Sequence, residues 1–286
     1  PAGRVRKAAN DGDRLRIGTL GVPLVAAPSP SQLPWRGLGM DVVIEASGAY
    51  TRASDARGHI AAGARKVVIT EASDDADCTV IYGVNHQAYD GRRHHVVASD
   101  TETTNAAAVV LSVLAEAFPV ERVMVTAVHA YTNAQKLIDT TDTDLRRARS
   151  APLSIVPTTS RAASAVGLHV RRLAGLVDGY AVRVPVAVVS IVELIIRLSV
   201  AADAVRINGV LREAAAGPRA GALAVTDEPP VSTDYRGDRH SAVVDAPLTM
   251  AIGPLAKISA WYDNEWGYSN RVADVAAMVA AGLDSE

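Results

Sequence analysis

The chain has 286 residues, 49% hydrophobic and 21% charged, with a formal net charge of -2. That length can bury a sizeable core in two medium domains, and the charge gives no electrostatic lean toward nucleic acid or an anionic membrane. Cys78 is the only cysteine, which excludes an internal disulfide framework and a cysteine-pair metal site and fits a reducing cytoplasm.

Residues 14–26 read as a strand, a glycine-centred turn and a second strand, an antiparallel hairpin, followed by a Pro/Ser loop. Residues 40–46 form a buried strand ending at Ser47-Gly48, and residues 51–63 a helix stopped by Gly63. The next strand, residues 66–70, completes a strand–helix–strand alternation that predicts a parallel sheet with ligands at the carboxyl ends of its strands, here Ser47, Gly48 and Thr70. Residues 79–86 and 94–98 add two further strands. No Gly-x-Gly-x-x-Gly follows a strand anywhere in the sequence, so these residues contain no dinucleotide phosphate turn.

Ser99-Asp100-Thr101-Glu102-Thr103-Thr104-Asn105 then opens a helix that runs through an alanine-rich segment and closes before Pro119. Free N–H groups and the positive end of the helix dipole favour an anion there. Glu102 is that anion, either as a catalytic carboxylate or as an ordinary first-turn acid. Beyond it, residues 122–129 form a strand that delivers His129 at its end, and residues 130–155 a polar, basic loop. Residues 158–167 read as a Thr/Ser-capped helix start, a second anion site. Residues 179–186, 191–200 and 248–262 read as long strands of an antiparallel sheet, with helices over residues 206–216 and 272–283. The longest apolar runs, such as residues 182–196, contain Arg183, Pro185 and Glu193, so no membrane span is expected.

Thr103-Thr104-Asn105, Val128-His129-Ala130-Tyr131-Thr132-Asn133, Asp144-Leu145-Arg146-Arg147-Ala148-Arg149, Arg183-Val184-Pro185 and the long motif from Trp261 to Arg271 together resemble phosphorylating glyceraldehyde-3-phosphate dehydrogenases. The resemblance is strongest from Met40 onward and reaches back weakly to Pro1. It implies an α/β fold: a partial nucleotide-binding, Rossmann-like domain over residues 1–101, and an α+β catalytic domain with an antiparallel sheet over residues 102–263. The C-terminal helix, residues 264–286, is expected to pack back on the first domain. A homotetramer is implied as well. The family's first strand, glycine turn and helix would precede Pro1, so NAD or NADP binding is expected to need that segment.

In such enzymes a cysteine thiolate attacks an aldehyde, a histidine takes the proton and NAD takes the hydride. The resemblance aligns the nucleophilic cysteine with Glu102 and the histidine with His129. It assigns Thr101, Thr103, Thr132, Ser160, Arg161 and Arg183 to substrate phosphate or inorganic phosphate, with Arg161 replacing a glycine and Ser164 a lysine. It assigns Ser47, Gly48, Thr70, Asn264 and Tyr268 to the cofactor and no residue to a metal. The arginines at 146, 147 and 149 are by default a solvated face. A carboxylate is a far weaker nucleophile than a thiolate, so thiol-type dehydrogenation is expected to be lost. Beside His129, Glu102 instead suits acid–base work on a small phosphorylated molecule. The alternatives are an inactive homologue serving as a binding or regulatory partner, and an NAD-dependent aldehyde oxidoreductase.

Overall fold

The computed structural model describes residues 8–285. They divide into two compact units, one comprising residues up to 79, 89–99 and 275 onward, the other residues 80–88 and 100–274.

The first unit opens with β1 (Ala8–Asp11), β2 (Arg14–Ile17) and β3 (Leu20–Pro23), a three-stranded antiparallel sheet. The predicted hairpin is present, extended by one strand. Gly12 and Gly18 take φ of 69° and 63° at its two turns, a region open to glycine at little cost. Then follow α1 (Trp35–Leu38), β4 (Val42–Glu45), α2 (Ala53–Ala61), β5 (Lys66–Ile69), β6 (Cys78–Thr79) and β7 (Val96–Ala98). The four strands form a parallel sheet in the order β4-β5-β7-β6. Ala53 and Ala56 of α2 pack on Val67, Ile69 and Val96.

The strand predicted over residues 79–86 does not form. Asn85 Oδ1 accepts the Ile81 N–H at 2.7 Å, and the Val84 and Asn85 N–H groups return to Ile81 O. This local bonding competes with a ladder and turns the chain.

The second unit is built on α3 (Glu102–Ala117), with Thr101 as N-cap accepting the Thr104 N–H at 3.3 Å. Small and apolar residues surround α3 on all sides, and residues 103–115 are buried, as expected of a helix without a polar face. It ends at extended Phe118, ahead of Pro119. In chain order follow β8 (Val120–Ala130), β9 (Val156–Thr158), α4 (Ala162–His169), β10 (Val177–Val184), β11 (Ser190–Leu198), α5 (Ala204–Ala216), β12 (Leu223–Thr226), β13 (Ala242–Asp245), β14 (Met250–Ile252), β15 (Leu255–Tyr262) and α6 (Trp266–Ala281). The eight strands run β12-β13-β15-β11-β8-β10-β9, with β14 on β15. Val110, Leu111 and Leu114 of α3 share one core with Val125, Leu194 and Ile258 of the sheet.

This sheet is mixed, not antiparallel. β10 pairs parallel to β8, because the helical crossover through α4 brings the chain back in the same direction, and β12 pairs parallel to β13. The long strand expected over residues 248–262 is split: a helical turn at Ala246–Leu248 and Gly253, with φ of 58°, divide it into β14 and β15. Thr158 lies in β9, opposite Ala181, so α4 starts at Ala162 without a Thr/Ser side-chain cap. The last helix starts earlier than residue 272, because Asp263 Oδ1 accepts the Glu265 and Trp266 N–H groups at 2.9 Å and caps it there.

Candidate active site

Strand register assembles one end of the second unit's sheet. β8 and β10 set His129 opposite Arg183, β8 and β11 set Val128 opposite Ile191, and β11 and β15 set Ser190 opposite Tyr262. Tyr262, Ser190, His129 and Arg183 thus line one edge of four adjacent strands. The N-terminus of α3 adds Glu102.

His129 Nε2 lies 2.8 Å from Glu102 Oε1, with the imidazole 1% exposed and the carboxylate 26% exposed. The other ring nitrogen, Nδ1, lies 2.6 Å from Ala130 O and contacts Arg183 Nη1, which also donates to Ala130 O at 3.1 Å. An ionised carboxylate only accepts, so in the contact with Glu102 the Nε2–H donates. Burial works against ionising Glu102, but the hydrogen bond and charge of His129, its own backbone N–H and the charge of Arg183 hold its carboxyl below the usual range. Burial likewise disfavours the charge on Arg183, and the nearby charge of Glu102 opposes that loss. Arg183 Nε is buried without a hydrogen-bond partner.

The sign of the Glu102 shift sets a pH dependence. A folded-state value below 4.5 means that the pairing contributes fully above pH 4.5 and is lost as pH falls through the folded value. The stability advantage of the wild type over Glu102→Gln, about 1.5–3 kcal/mol for a charge-assisted hydrogen bond, is expected to be constant well above pH 4.5 and to shrink below it. Urea unfolding of both proteins across that range measures this, and an advantage that grows as the pH falls would contradict it.

Tyr262 closes the back of the site. Its hydroxyl is 2.9 Å from Thr103 Oγ1, its ring meets His129 edge-on at 6.0 Å, and burial raises its pKa. Thr103 is buried with its hydroxyl tied to this tyrosine. Ser190 Oγ accepts the Ala130 N–H at 3.1 Å and donates to Asn264 Oδ1 at 3.3 Å. Asn264 Oδ1 also accepts the N–H of Val189 at 3.1 Å. Val189 has φ of 69°, a conformation costly for a β-branched residue and held here by that bond.

A second carboxylate–imidazole pair lies two residues from Glu102. His169 Nε2 is 2.7 Å from Asp100 Oδ2, with side chains 5% and 4% exposed. Asp100 Oδ1 accepts the Thr101 N–H at 2.6 Å, and Tyr268 donates to Asp100 O at 2.6 Å. Asp100 has φ of 55°, which aspartate tolerates. Burial opposes its ionisation, but the bond to His169, the charge of His169 and the Thr101 N–H lower its pKa.

The remaining predicted residues are dispersed. Thr132 turns back on Gln135, its N–H and hydroxyl donating to Oε1 at 2.7 and 3.0 Å. Ser160 Oγ accepts the Ala162 N–H at 3.2 Å, and exposed Arg161 caps α4 through its backbone alone. Arg147, placed by sequence on a solvated face, donates to Thr158 Oγ1 at 2.9 Å and lies close enough to Arg183 for its charge to oppose that guanidinium. In the first unit, Ser47 and Thr70 gather at the ends of β4 and β5 around Glu45: the Ser47 N–H donates to Glu45 Oε1 at 2.8 Å and Thr70 Oγ1 to Glu45 O at 3.2 Å. Gly48, with φ of 72° and open space where a Cβ would stand, allows close approach to that strand end. Among the described residues no three His, Cys, Asp or Glu side chains could hold a metal ion, and no helix is long and apolar enough to cross a membrane.

Sequence reading gave no role to Tyr262, Asp100 or His169. Tyr262 carried a usable signal, lying inside the most specific motif. Asp100 and His169 carried none, because only folding joins positions 69 residues apart.

Residues 102–264 match the family described as glyceraldehyde 3-phosphate dehydrogenase, C-terminal domain. The chain is 45% identical over 269 residues to glyceraldehyde-3-phosphate dehydrogenase 1 of Streptomyces avermitilis, covering 94% of this chain and 80% of that protein. It is 45% identical over 254 residues to the glyceraldehyde-3-phosphate dehydrogenase of Mycolicibacterium smegmatis, covering 89% and 74%. With glyceraldehyde-3-phosphate dehydrogenase 1 of Bacillus cereus the identity is 44% over 264 residues, covering 92% and 79%. On this evidence the chain belongs to the glyceraldehyde-3-phosphate dehydrogenase family.

Proposed function

We propose that Glu102 and His129 form an acid–base pair that moves a proton on a small phosphorylated carbonyl compound, in place of thiol-based dehydrogenation. The observation that carries this reading is the 2.8 Å contact between a buried imidazole and a carboxylate still 26% exposed. One carboxylate oxygen is held by His129, and the partly exposed carboxylate meets a substrate C–H. In the proposed step that C–H bond breaks, the proton goes to Glu102 and the electron pair moves onto the carbonyl oxygen. Transfer of the adjacent hydroxyl proton to the enolate oxygen and return of the Glu102 proton to the former carbonyl carbon leave a new carbonyl at the hydroxyl-bearing carbon, an isomerisation that needs no oxidant. Arg183 and Arg147 supply the positive charge for the phosphate.

The residues present do not by themselves make a dinucleotide site. The sequence has no glycine-rich phosphate turn, Ser47 and Thr70 donate inward to Glu45, and Asn264 Oδ1 is taken by Val189 and Ser190. These inward commitments also favour the second reading, a homologue that binds without turnover. The two are separated by following solvent deuterium into glyceraldehyde 3-phosphate or dihydroxyacetone phosphate without added NAD. Incorporation well above the uncatalysed rate is expected, and incorporation at that rate would leave the binding role.

Self-association is part of the proposal. The basic loop exposes five large apolar side chains, Leu137, Ile138, Leu145, Leu153 and Ile155, each at least 70% accessible, and a concentration of such residues is a mark of an interaction surface. Ile138→Glu combined with Leu145→Glu is expected to lower the sedimenting mass toward one chain. An unchanged mass would place the interface elsewhere.

A further inference from the structure

A second concentration of cationic side chains in the same unit lies outside the residues used above. A cavity of about 200 Å³ is lined by Tyr82, Gly221, Arg239, Asn270, Arg271 and Asp274 among others. Arg271 is 4% exposed. Its Nη1 donates to Gly221 O at 2.9 Å, its Nη2 meets Asp274 Oδ2 at 2.7 Å, and its guanidinium lies over the Tyr82 ring at 5.6 Å. Tyr82 is stacked in turn on His86, with ring centroids 4.9 Å apart. Arg271 Nε is buried without a hydrogen-bond partner, a state that costs about 1–3 kcal/mol unless a ligand or water fills it.

Arg239 is exposed and makes no hydrogen bond or ion pair with another described residue. Its neighbour Asp238 bonds His240 at 2.8 Å, lies in the field of Arg239 and does not line the cavity. Two guanidinium groups therefore share the cavity with one carboxylate, Asp274. Burial disfavours the charge on Arg271, Arg239 adds to that effect, and Asp274 and Tyr82 oppose it. An anion held between the two arginines would relieve this repulsion and accept the orphaned N–H. Its size limits it to a small group, and Tyr82, covered by Arg271 and His86, offers no free face for a stacked base.

We infer that this cavity binds a small tetrahedral dianion, inorganic phosphate or the phosphate end of a compact monoester, with Arg271 Nε–H as the buried donor and Arg239 at the mouth. The site is independent of the proton-transfer reading, since none of its residues contributes to the Glu102 and His129 pair. The direct probe is the Arg271 Nε–H resonance of nitrogen-15-labelled protein, assigned through its contacts with the Tyr82 ring. Titration with inorganic phosphate at constant ionic strength, with chloride as the exchanged anion, is expected to shift it saturably. Arg239→Ala, an exposed position that folding tolerates, is expected to weaken binding about tenfold, while Arg183→Ala leaves it unchanged. Methyl phosphate run in parallel tells the two sources apart: equal affinity assigns the site to monoesters, much weaker binding to the free ion. No saturable shift, the same shift with chloride alone, or wild-type affinity in Arg239→Ala would each overturn the inference. The deuterium assay should be unaffected by Arg239→Ala, which keeps this outcome separate from that of the catalytic reading.

Discussion

Glu102→Gln is expected to slow deuterium incorporation into the phosphorylated substrate by about a hundredfold to ten-thousandfold, the range for removing a general base, with a much smaller change in KM. The substitution is nearly isosteric and its amide oxygen still accepts the His129 Nε2–H, so packing at the start of α3 is kept and only the base is removed. An effect confined to kcat separates chemistry from binding, because an interaction needed only in the transition state lowers kcat and kcat/KM together. His129→Asn should give a smaller loss, since it removes the group that orients and polarises the base and leaves the carboxylate in place. A Glu102→Gln protein that exchanges within about tenfold of wild type would remove Glu102 from the chemistry.

The second large effect is on stability. His169→Val leaves the Asp100 carboxylate, 4% exposed, without its 2.7 Å partner. Breaking a buried pair from one side costs about 3–5 kcal/mol. Asp100→Asn should cost less, because asparagine accepts the Thr101 N–H and tolerates the φ of 55° at that position. The double variant should lose less than the sum of the two, since no unpaired charge remains, and a double-mutant cycle by urea unfolding measures the coupling. Asp100 joins α4 to the turn before Glu102, so His169→Val is also expected to lower exchange activity. A cost below about 1 kcal/mol, the level of an exposed ion pair, would show that the pair is not the tie described.

Most of the first unit was legible from the order of its residues. Its strands are short apolar runs closed by Gly, Ser or Thr, and its parallel pairing follows from the helix between them. Failures came where long-range pairing overrode local pattern. Residues 79–86 carry a strand's composition, yet Asn85 turns back on Ile81. β8 and β10 have the same apolar alternation whichever way they run, so the parallel pairing that sets Arg183 against His129 was not in the pattern. Thr132 and Arg183 share a motif-based assignment to phosphate, and only the folded chain shows that Thr132 bonds Gln135 while Arg183 stands beside His129.

The sequence by itself determined the family, through motifs whose spacing is tied to one scaffold, and it places a carboxylate, Glu102, directly before Thr103-Thr104-Asn105, because side-chain identity is a covalent fact. Only the tertiary structure decided that Glu102 meets His129, that Tyr262 closes the site, and that Asp100 finds His169. Those contacts join positions 27 to 159 residues apart, and side-chain partnership at such separations is set by register and crossover, which no local run of residues encodes.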